Sequence, residues 1–342
     1  MEKEGAECLF TISDLSMVGI FEVVAHLKKI GRIFAVIREE VRRRKPQAAV
    51  LIDSPDFNLR LAARLKRLGI PVLYYISPTV WAWRRHRLKS IKKNVCRMML
   101  IFPFEKKIYR EQNIPAVFVG HPLTQIVHPT IPRTDFFQNY GLNPDKPLIS
   151  LLPGSRENEV RFHMPHLGSA LDHLARKFDA QFILIKADNI AASTLKSLLP
   201  LNWRDIPFIG KDIYSALAAS QLALSSCGTA NLEAALLETP VIAFYRVHPL
   251  SFALGIRFLK IQRFSIVNIL ADKPVIPELI QKDFTAETLV REAGKILSSD
   301  SVRNTMKEEF RRIRAELGWE KASANAAGEL KRLMEQPSDC QE

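Results

Sequence analysis

Two short stretches have the residue types and spacing of an anion-binding site. In DKPLISLLPGSRENEV, the apolar run Leu148 to Leu152 stops at Pro153-Gly154-Ser155-Arg156, and a Glu-bearing stretch follows. In LALSSCGTANLEAALLE, a second apolar run ends at Ser226-Cys227-Gly228-Thr229 before a helical pattern begins. Small residues let a ligand approach the backbone. A helix that starts there offers free N–H groups and about half a positive charge, which together favour a phosphate. Arg156 falls in the expected first helical turn, where a cation opposes the dipole, and an arginine fork suits a diphosphate. Glu233, one turn into the second helix, is a carboxylate that could accept both hydroxyls of a ribose. The plainer alternative is two ordinary strand-to-helix turns, capped by Ser155 and Thr229, with a surface arginine.

A second set of candidates lies earlier. IDSPDFN places Asp53 at the end of an apolar strand, where a carboxylate serves as a general base or merely caps a loop. Asp56 is the expected N-cap of the next helix. SPTVWAWRRHR brings Trp81 and Trp83 beside Arg84, suited to stacking on a sugar, meeting an acyl chain or packing between domains. His121, in Gly120-His121-Pro122, either meets a cleft or shapes a domain crossing. The histidines share no metal-ligand spacing, so no metal is expected.

These residues need elements to hold them. Strands are expected at 48–53, 72–77, 97–102 and 116–120, and again at 148–152, 181–187, 206–210, 222–226 and 240–246, with helical patterns between them. That alternation implies parallel sheets covered on both faces, hence two Rossmann-like α/β domains with ligands at the carboxyl ends of the strands. Residues 126–146, rich in proline and without a clear period, read as the linker. The stretch 21–46 is amphipathic: Ile30, Ile33, Phe34, Ile37 and Val41 share one face, and Lys28, Lys29, Arg32, Arg38 and Arg42 to Lys45 supply charge. It fits a sheet-covering helix or one lying on anionic lipid.

The chain has 342 residues, a formal net charge of +13 and four widely spaced cysteines without a CxxC pair. The charge favours an anionic partner and the cysteine pattern a reducing compartment. No signal peptide is visible and no apolar run approaches the roughly 20 residues of a membrane span, so a cytosolic or cytosol-facing location is expected.

In order, IDSPDFN, YYISPTVWAWR, FPFEKKIY, VGHPL, LLPGSRENEV, SSCGTANLEAAL and VNILADKPVIPELIQ resemble the lipid-A-disaccharide synthase family, from about Gly5 to about Leu333. The resemblance implies a GT-B fold. Residues 1–125 would be an acceptor-binding domain, 147–318 a UDP-sugar-binding domain, and 319–335 a helix packing back on the first. It implies inverting transfer of 2,3-diacylglucosamine from UDP to 2,3-diacylglucosamine 1-phosphate. The bond formed is β-1,6, and UDP is released without a metal or other cofactor. The setting implied is the inner face of the cytoplasmic membrane of a Gram-negative-type bacterium, with an anionic membrane surface as partner, no nucleic acid, and room for an oligomer. Asp53 falls on the family's essential aspartate. Gly154, Ser155, Arg156, Gly210, Ser226, Gly228, Thr229 and Glu233 fall on the donor side, and Trp81, Trp83, Arg84, His121, Asn268 and Glu278 on the acceptor side or cleft. Cys227 stands inside the family's Ser-Gly-Thr loop and takes over a small-residue role. The chain begins after the family's opening strand and Gly-rich loop, so a strand of the first sheet is expected to be unpaired on one side. Other UDP-sugar GT-B enzymes share only the two-domain layout. A non-catalytic basic protein of the membrane surface is the reading from another class, and it predicts polyanion binding without UDP affinity.

Overall fold

The computed structural model describes residues 5–11, 23–257, 262–318 and 321–336, with side chains of the first helix from residue 30 onward. The first residues of the expected helix at 21–46, the side chains of Lys28 and Lys29, residues 319–320 and the tail 337–342 lie outside the described residues. Two parallel sheets organise the rest. The first has four strands in sequence order: β1 (Ala49–Ile52), β2 (Val72–Tyr75), β3 (Arg97–Leu100) and β4 (Ala116–Phe118). The second has six: β5 (Leu148–Leu152), β6 (Gln181–Ile185), β7 (Phe208–Ile209), β8 (Leu222–Ser226), β9 (Val241–Tyr245) and β10 (Glu278–Ile280). Their order is β10-β9-β8-β5-β6-β7. Every pairing is parallel. The switch from β5 to its two neighbours β6 and β8 makes the crevice in which ligands of such sheets sit.

The strand sequences explain their positions. β5 and β8 are buried at every residue, as central strands covered on both faces must be. β1, paired on one side only among the described residues, leaves Val50 and Ile52 exposed. Helix Val23–Arg44 lays Phe34 into the core of the first sheet, with Ile30, Ile37 and Val41 against it, and Ile33 is buried as well. Its apolar stripe is therefore consumed by the sheet, and the amphipathic stretch acts as a cover helix with a solvated cationic face.

Residues 126–146 are not a bare linker. Helix Arg133–Asn139 drives Phe136 and Phe137 into the core of the second sheet, beside Leu123 and Val127. Seven residues are too few to display a helical period, which is why the sequence reads as irregular there. The chain crosses between the sheets twice, and the crossings touch. Gly120 (φ +95) and Gly318 (φ +83) lie back to back, and the His121 N–H donates to the Leu317 carbonyl at 3.0 Å. Both backbones are in a region that side chains rarely adopt, so glycine is required at each. Beyond the crossing, helix Ala322–Glu335 returns to the first sheet. Leu333 packs with Leu73, Met99 and Val119, and Glu329 accepts from Arg97 at 2.7 Å.

Phe136 is fully buried. Phe136→Ala should cost about 3–5 kcal/mol in a denaturant titration, as for other core phenylalanines. A loss below about 1 kcal/mol would mean that this segment is a spacer after all.

Candidate functional site

Register brings the two small-residue turns together. Leu152 of β5 is level with Ser225 of β8, so Pro153-Gly154-Ser155 and Ser226-Cys227-Gly228 leave adjacent strands at the same rim. Gly154 has φ +126, and a side chain there would meet the Glu159 carboxylate at 3.2 Å and the Ser226 hydroxyl at 3.5 Å. Only glycine permits that approach. His163 holds the arrangement from below. Its ring bonds the Pro153 carbonyl through Nδ1 at 2.6 Å and accepts from the Arg246 N–H through Nε2 at 2.9 Å. Those roles fix the neutral tautomer with the proton on Nδ1, and burial lowers the imidazole's pKa in agreement. Histidine spacing read for metal ligands gave no hint of this clamp.

Arg156 stands at the N-cap of helix Glu157–Phe178 rather than inside its first turn. Ser155 does not cap the helix. Instead its carbonyl accepts from Asn189 at 2.7 Å. The conflict between Arg156 and the helix dipole is thus removed, because Glu157 and Glu159 occupy the first turn and Glu159 pairs with Arg156 at 2.7 Å. The Arg156 side chain is 79% exposed, so the guanidinium is open to a ligand. On the β8 side Gly228 is the N-cap of helix Thr229–Leu236, and Gly228 and Thr229 are exposed. Glu233 is half-buried and accepts from the Tyr214 hydroxyl, and burial raises its pKa. Cys227 is held as the neutral thiol, its pKa raised by burial and by the neighbouring Glu278 carboxylate.

Other predicted residues are placed apart or already occupied. Gly210 ends β7, at the sheet edge and two strands from β5. Asn268 donates to Ile276 O and to Glu278, and accepts from the Val275 and Ile276 N–H groups, which uses its full hydrogen-bonding capacity. Glu278 also accepts from the Phe264 and Ser265 N–H groups. This pair folds the approach to β10 beside Cys227.

In the first sheet Asp53 follows β1, exposed, with φ +48, and Ser54 follows with φ +44. Two successive left-handed non-glycine residues cost roughly 1–3 kcal/mol each, and persist where the surroundings over-determine them. Here the Asp53 carbonyl accepts from Asn58 Nδ2 and from the Tyr74 hydroxyl, each at 2.7 Å. Asp56 is not the helix cap. Ser54 holds that position, and Asp56 pairs with Arg84 at 3.0 Å and with buried Arg87. The sequence could not show that the aspartate had two arginines across the turn. Trp83 is exposed, donates to Thr79 at 2.8 Å and lies under the Arg84 guanidinium, 4.2 Å from its ring centre. Trp81 turns inward, edge-on to Phe104. Beside it Glu105 is buried, accepting from the Phe102 N–H, and burial pushes its carboxyl up to about 8. His121 is buried at the chain crossing, its Nδ1 accepting from the Leu123 N–H, and burial lowers its pKa to about 4. It shapes the crossing as a neutral group.

With this geometry in place, the relatives are informative. The family model described as lipid-A-disaccharide synthetase matches residues 1–330. The lipid-A-disaccharide synthase of Koribacter versatilis is 39% identical over 96% of this chain and 85% of its own length. That of Geobacter sulfurreducens is 35% identical over 96% and 86%. The chain belongs to the lipid-A-disaccharide synthase family. It is accordingly a glycosyltransferase of lipid A biosynthesis. Among solved structures, UDP-GlcNAc 2-epimerase from Neisseria meningitidis aligns with a TM-score of 0.59 at 11% identity, covering 85% of this chain and 81% of that one. The calicheamicin glycosyltransferase CalG4 gives 0.58 at 13% identity, covering 94% and 83%. These likenesses concern the fold, and they agree with the expected GT-B arrangement of two Rossmann-like domains.

Two outcomes follow from the first-sheet geometry. Asn58→Ala removes the side-chain donor to the Ile52 carbonyl and leaves the Asp53 carbonyl only the Tyr74 hydroxyl. It should cost about 1–3 kcal/mol, and should lower kcat while UDP affinity holds. Unchanged turnover would detach the Asp53 backbone from the chemistry. Glu105 has a folded pKa above its unfolded value, so its contribution is favourable below about pH 4.5 and is lost as pH rises through about 8. Glu105→Gln should raise stability near pH 8 by up to about 4 kcal/mol and flatten the alkaline slope. A melting curve with an undiminished slope would show that another group causes it.

Proposed function

We propose that this chain transfers 2,3-diacylglucosamine from UDP to 2,3-diacylglucosamine 1-phosphate, with inversion, at the inner face of the cytoplasmic membrane. Within the family membership, the observation that carries the reading is the pair of adjacent turns at β5 and β8, with exposed Arg156 at the end of the β5 turn. The diphosphate lies against Gly154 and the N–H groups of Gly228 and Thr229. Arg156 compensates the charge that grows on the leaving UDP as the sugar–oxygen bond stretches, where fixed donors act most strongly. Glu233 takes the ribose hydroxyls.

Asp53 is the general base. A sugar hydroxyl attacks well only as its proton is removed, and an exposed carboxylate on a rigid, strained turn is suited to receive that proton. Inversion follows from a single displacement, in which the acceptor oxygen adds on the face opposite the departing diphosphate. Trp83 and Arg84 form the neighbouring acceptor surface. The cationic face of helix Val23–Arg44, ending in Arg42, Arg43 and Arg44, faces anionic headgroups, while its apolar stripe stays in the protein. No helix among the described residues is long and apolar enough to cross a membrane.

UDP at millimolar concentration should raise the melting temperature of the full chain, because a ligand selective for the native state stabilises it. Arg156→Ala should reduce that shift more than Arg156→Lys. Asp53→Asn should keep the shift and lose disaccharide formation by on the order of 10²-fold or more at saturating substrates. No UDP shift in the parent chain would sink the donor site; near-full turnover in Asp53→Asn would sink the base. Reversal of Arg42, Arg43 and Arg44 to Glu should weaken binding to anionic vesicles by roughly 1 kcal/mol per charge. Unchanged vesicle binding would remove this helix from the membrane contact.

A further inference from the structure

Beside the β5 turn lies a second feature that neither the motifs nor the reaction uses. Helix Pro249–Ile256, PLSFALGI, has no buried residue. Leu250 and Leu254, one turn apart, are 69% and 63% exposed. The other face of the helix, with Phe252, Gly255 and Ile256, roofs an open cavity of about 980 Å³. Arg156 and Glu159 line the same cavity, so the arginine of the candidate diphosphate site borders it. Phe162 and Phe264 complete its apolar wall, with Phe264 stacked near Phe252 at 6.3 Å between ring centres.

We infer that this cavity is the acyl-chain subsite of the donor, receiving the hydrocarbon of an acylated sugar nucleotide whose diphosphate sits at Arg156. The inference rests on the proposed UDP-sugar chemistry and adds where the lipid half of the donor goes. Three observations support that occupant. The lining joins a polar end, where Arg156 stands beside Glu157 and Glu159, to an apolar part made by Phe162, Phe252, Ile256 and Phe264, which matches an amphiphile whose head reaches Arg156. The volume is at the upper end of small-ligand sites, more than a sugar alone requires. Leu250 and Leu254 give the helix a second apolar face, toward solvent, so that a chain leaving a bilayer meets hydrocarbon all the way in. A face with no role in burying the helix is otherwise an exposure cost.

Gly255 supplies the test. A Cβ built there meets nothing within 4 Å, and the residue lines the cavity. Gly255→Phe therefore starts a bulky side chain in open space at the cavity wall, and it replaces a poor helix former. The full chain is titrated, in competition with a fluorescent UDP analogue, with UDP and with UDP-2,3-diacylglucosamine bearing long or short acyl chains. The parent should bind the long-chain donor at least about tenfold tighter than the short-chain donor, since each buried methylene adds affinity. Gly255→Phe should abolish that advantage, with UDP affinity and anionic-vesicle binding unchanged. Phe252→Ser should reduce it in the same direction, and its retained UDP affinity would show that it is folded. Equal affinity of the parent for both chain lengths would overturn the subsite while leaving the UDP site standing. So would a chain-length advantage that survives in Gly255→Phe. Lost vesicle binding with an intact advantage would assign the helix to membrane contact instead. A parent that binds no UDP would defeat the proposed function itself, and the subsite with it.

Discussion

Parallel pairing is the constraint on which the candidate site depends. It delivers the carboxyl end of every strand to one rim, so turns distant in sequence become neighbours whenever their strands pair. The register Leu152 with Ser225 does this for residues 153–156 and 226–229, which are some seventy positions apart in the chain. What the register alone cannot do is bring two backbones close enough to share a ligand. Gly154 does that by lacking a side chain where Glu159 and Ser226 approach. His163 then ties the turn to the end of β9, using both ring nitrogens. A protonated imidazole would have no lone pair for the Arg246 N–H, so burial that disfavours the charged form also preserves the geometry.

The two rims reach rigidity by different routes. At β5 the chain uses glycine in a conformation that only glycine tolerates cheaply. At β1 it forces Asp53 and Ser54 into left-handed backbone, and Asn58 and Tyr74 hold the Asp53 carbonyl there. A carboxylate is needed at position 53 in the proposed chemistry, so glycine is not an option, and strain offset by two hydrogen bonds takes its place. Asp56 carries out a separate task nearby. Its pairs with Arg84 and Arg87 anchor the segment that presents Trp83.

Nine of the strands were legible because their signal is short and local: β5 and β8 begin and end where the apolar runs do, whereas β10, three residues with one buried position, gave too short a run to read. The motif turns were legible because small residues at a strand end have few other uses. Pairings across space were not. Nothing local marks Asp56 as an arginine partner, Asn268 as a loop brace with no capacity to spare, or Gly210 as an edge residue away from β5. Helix Arg133–Asn139 escaped notice through brevity. Helix Pro249–Ile256 escaped for the opposite of the usual reason. Helical periodicity is a contrast between apolar and polar positions, and PLSFALGI has no polar face to provide it.

That missing contrast separates the two helices in which a lipid contact is at issue. Val23–Arg44 has a strong period, and the sheet takes up its apolar half, leaving charge for solvent. Amphipathicity there is explained by folding, and needs no membrane. Pro249–Ile256 buries none of its residues, so core packing does not account for its composition. Its leucines face out, and its Phe252 and Ile256 face a cavity shared with Arg156. Apolar surface that contributes nothing to the core persists where it has a use in contact with other molecules. In the proposed chemistry, which joins acylated sugars, the arrangement would divide the labour. Cationic side chains would take the phosphates, and this helix would meet the hydrocarbon.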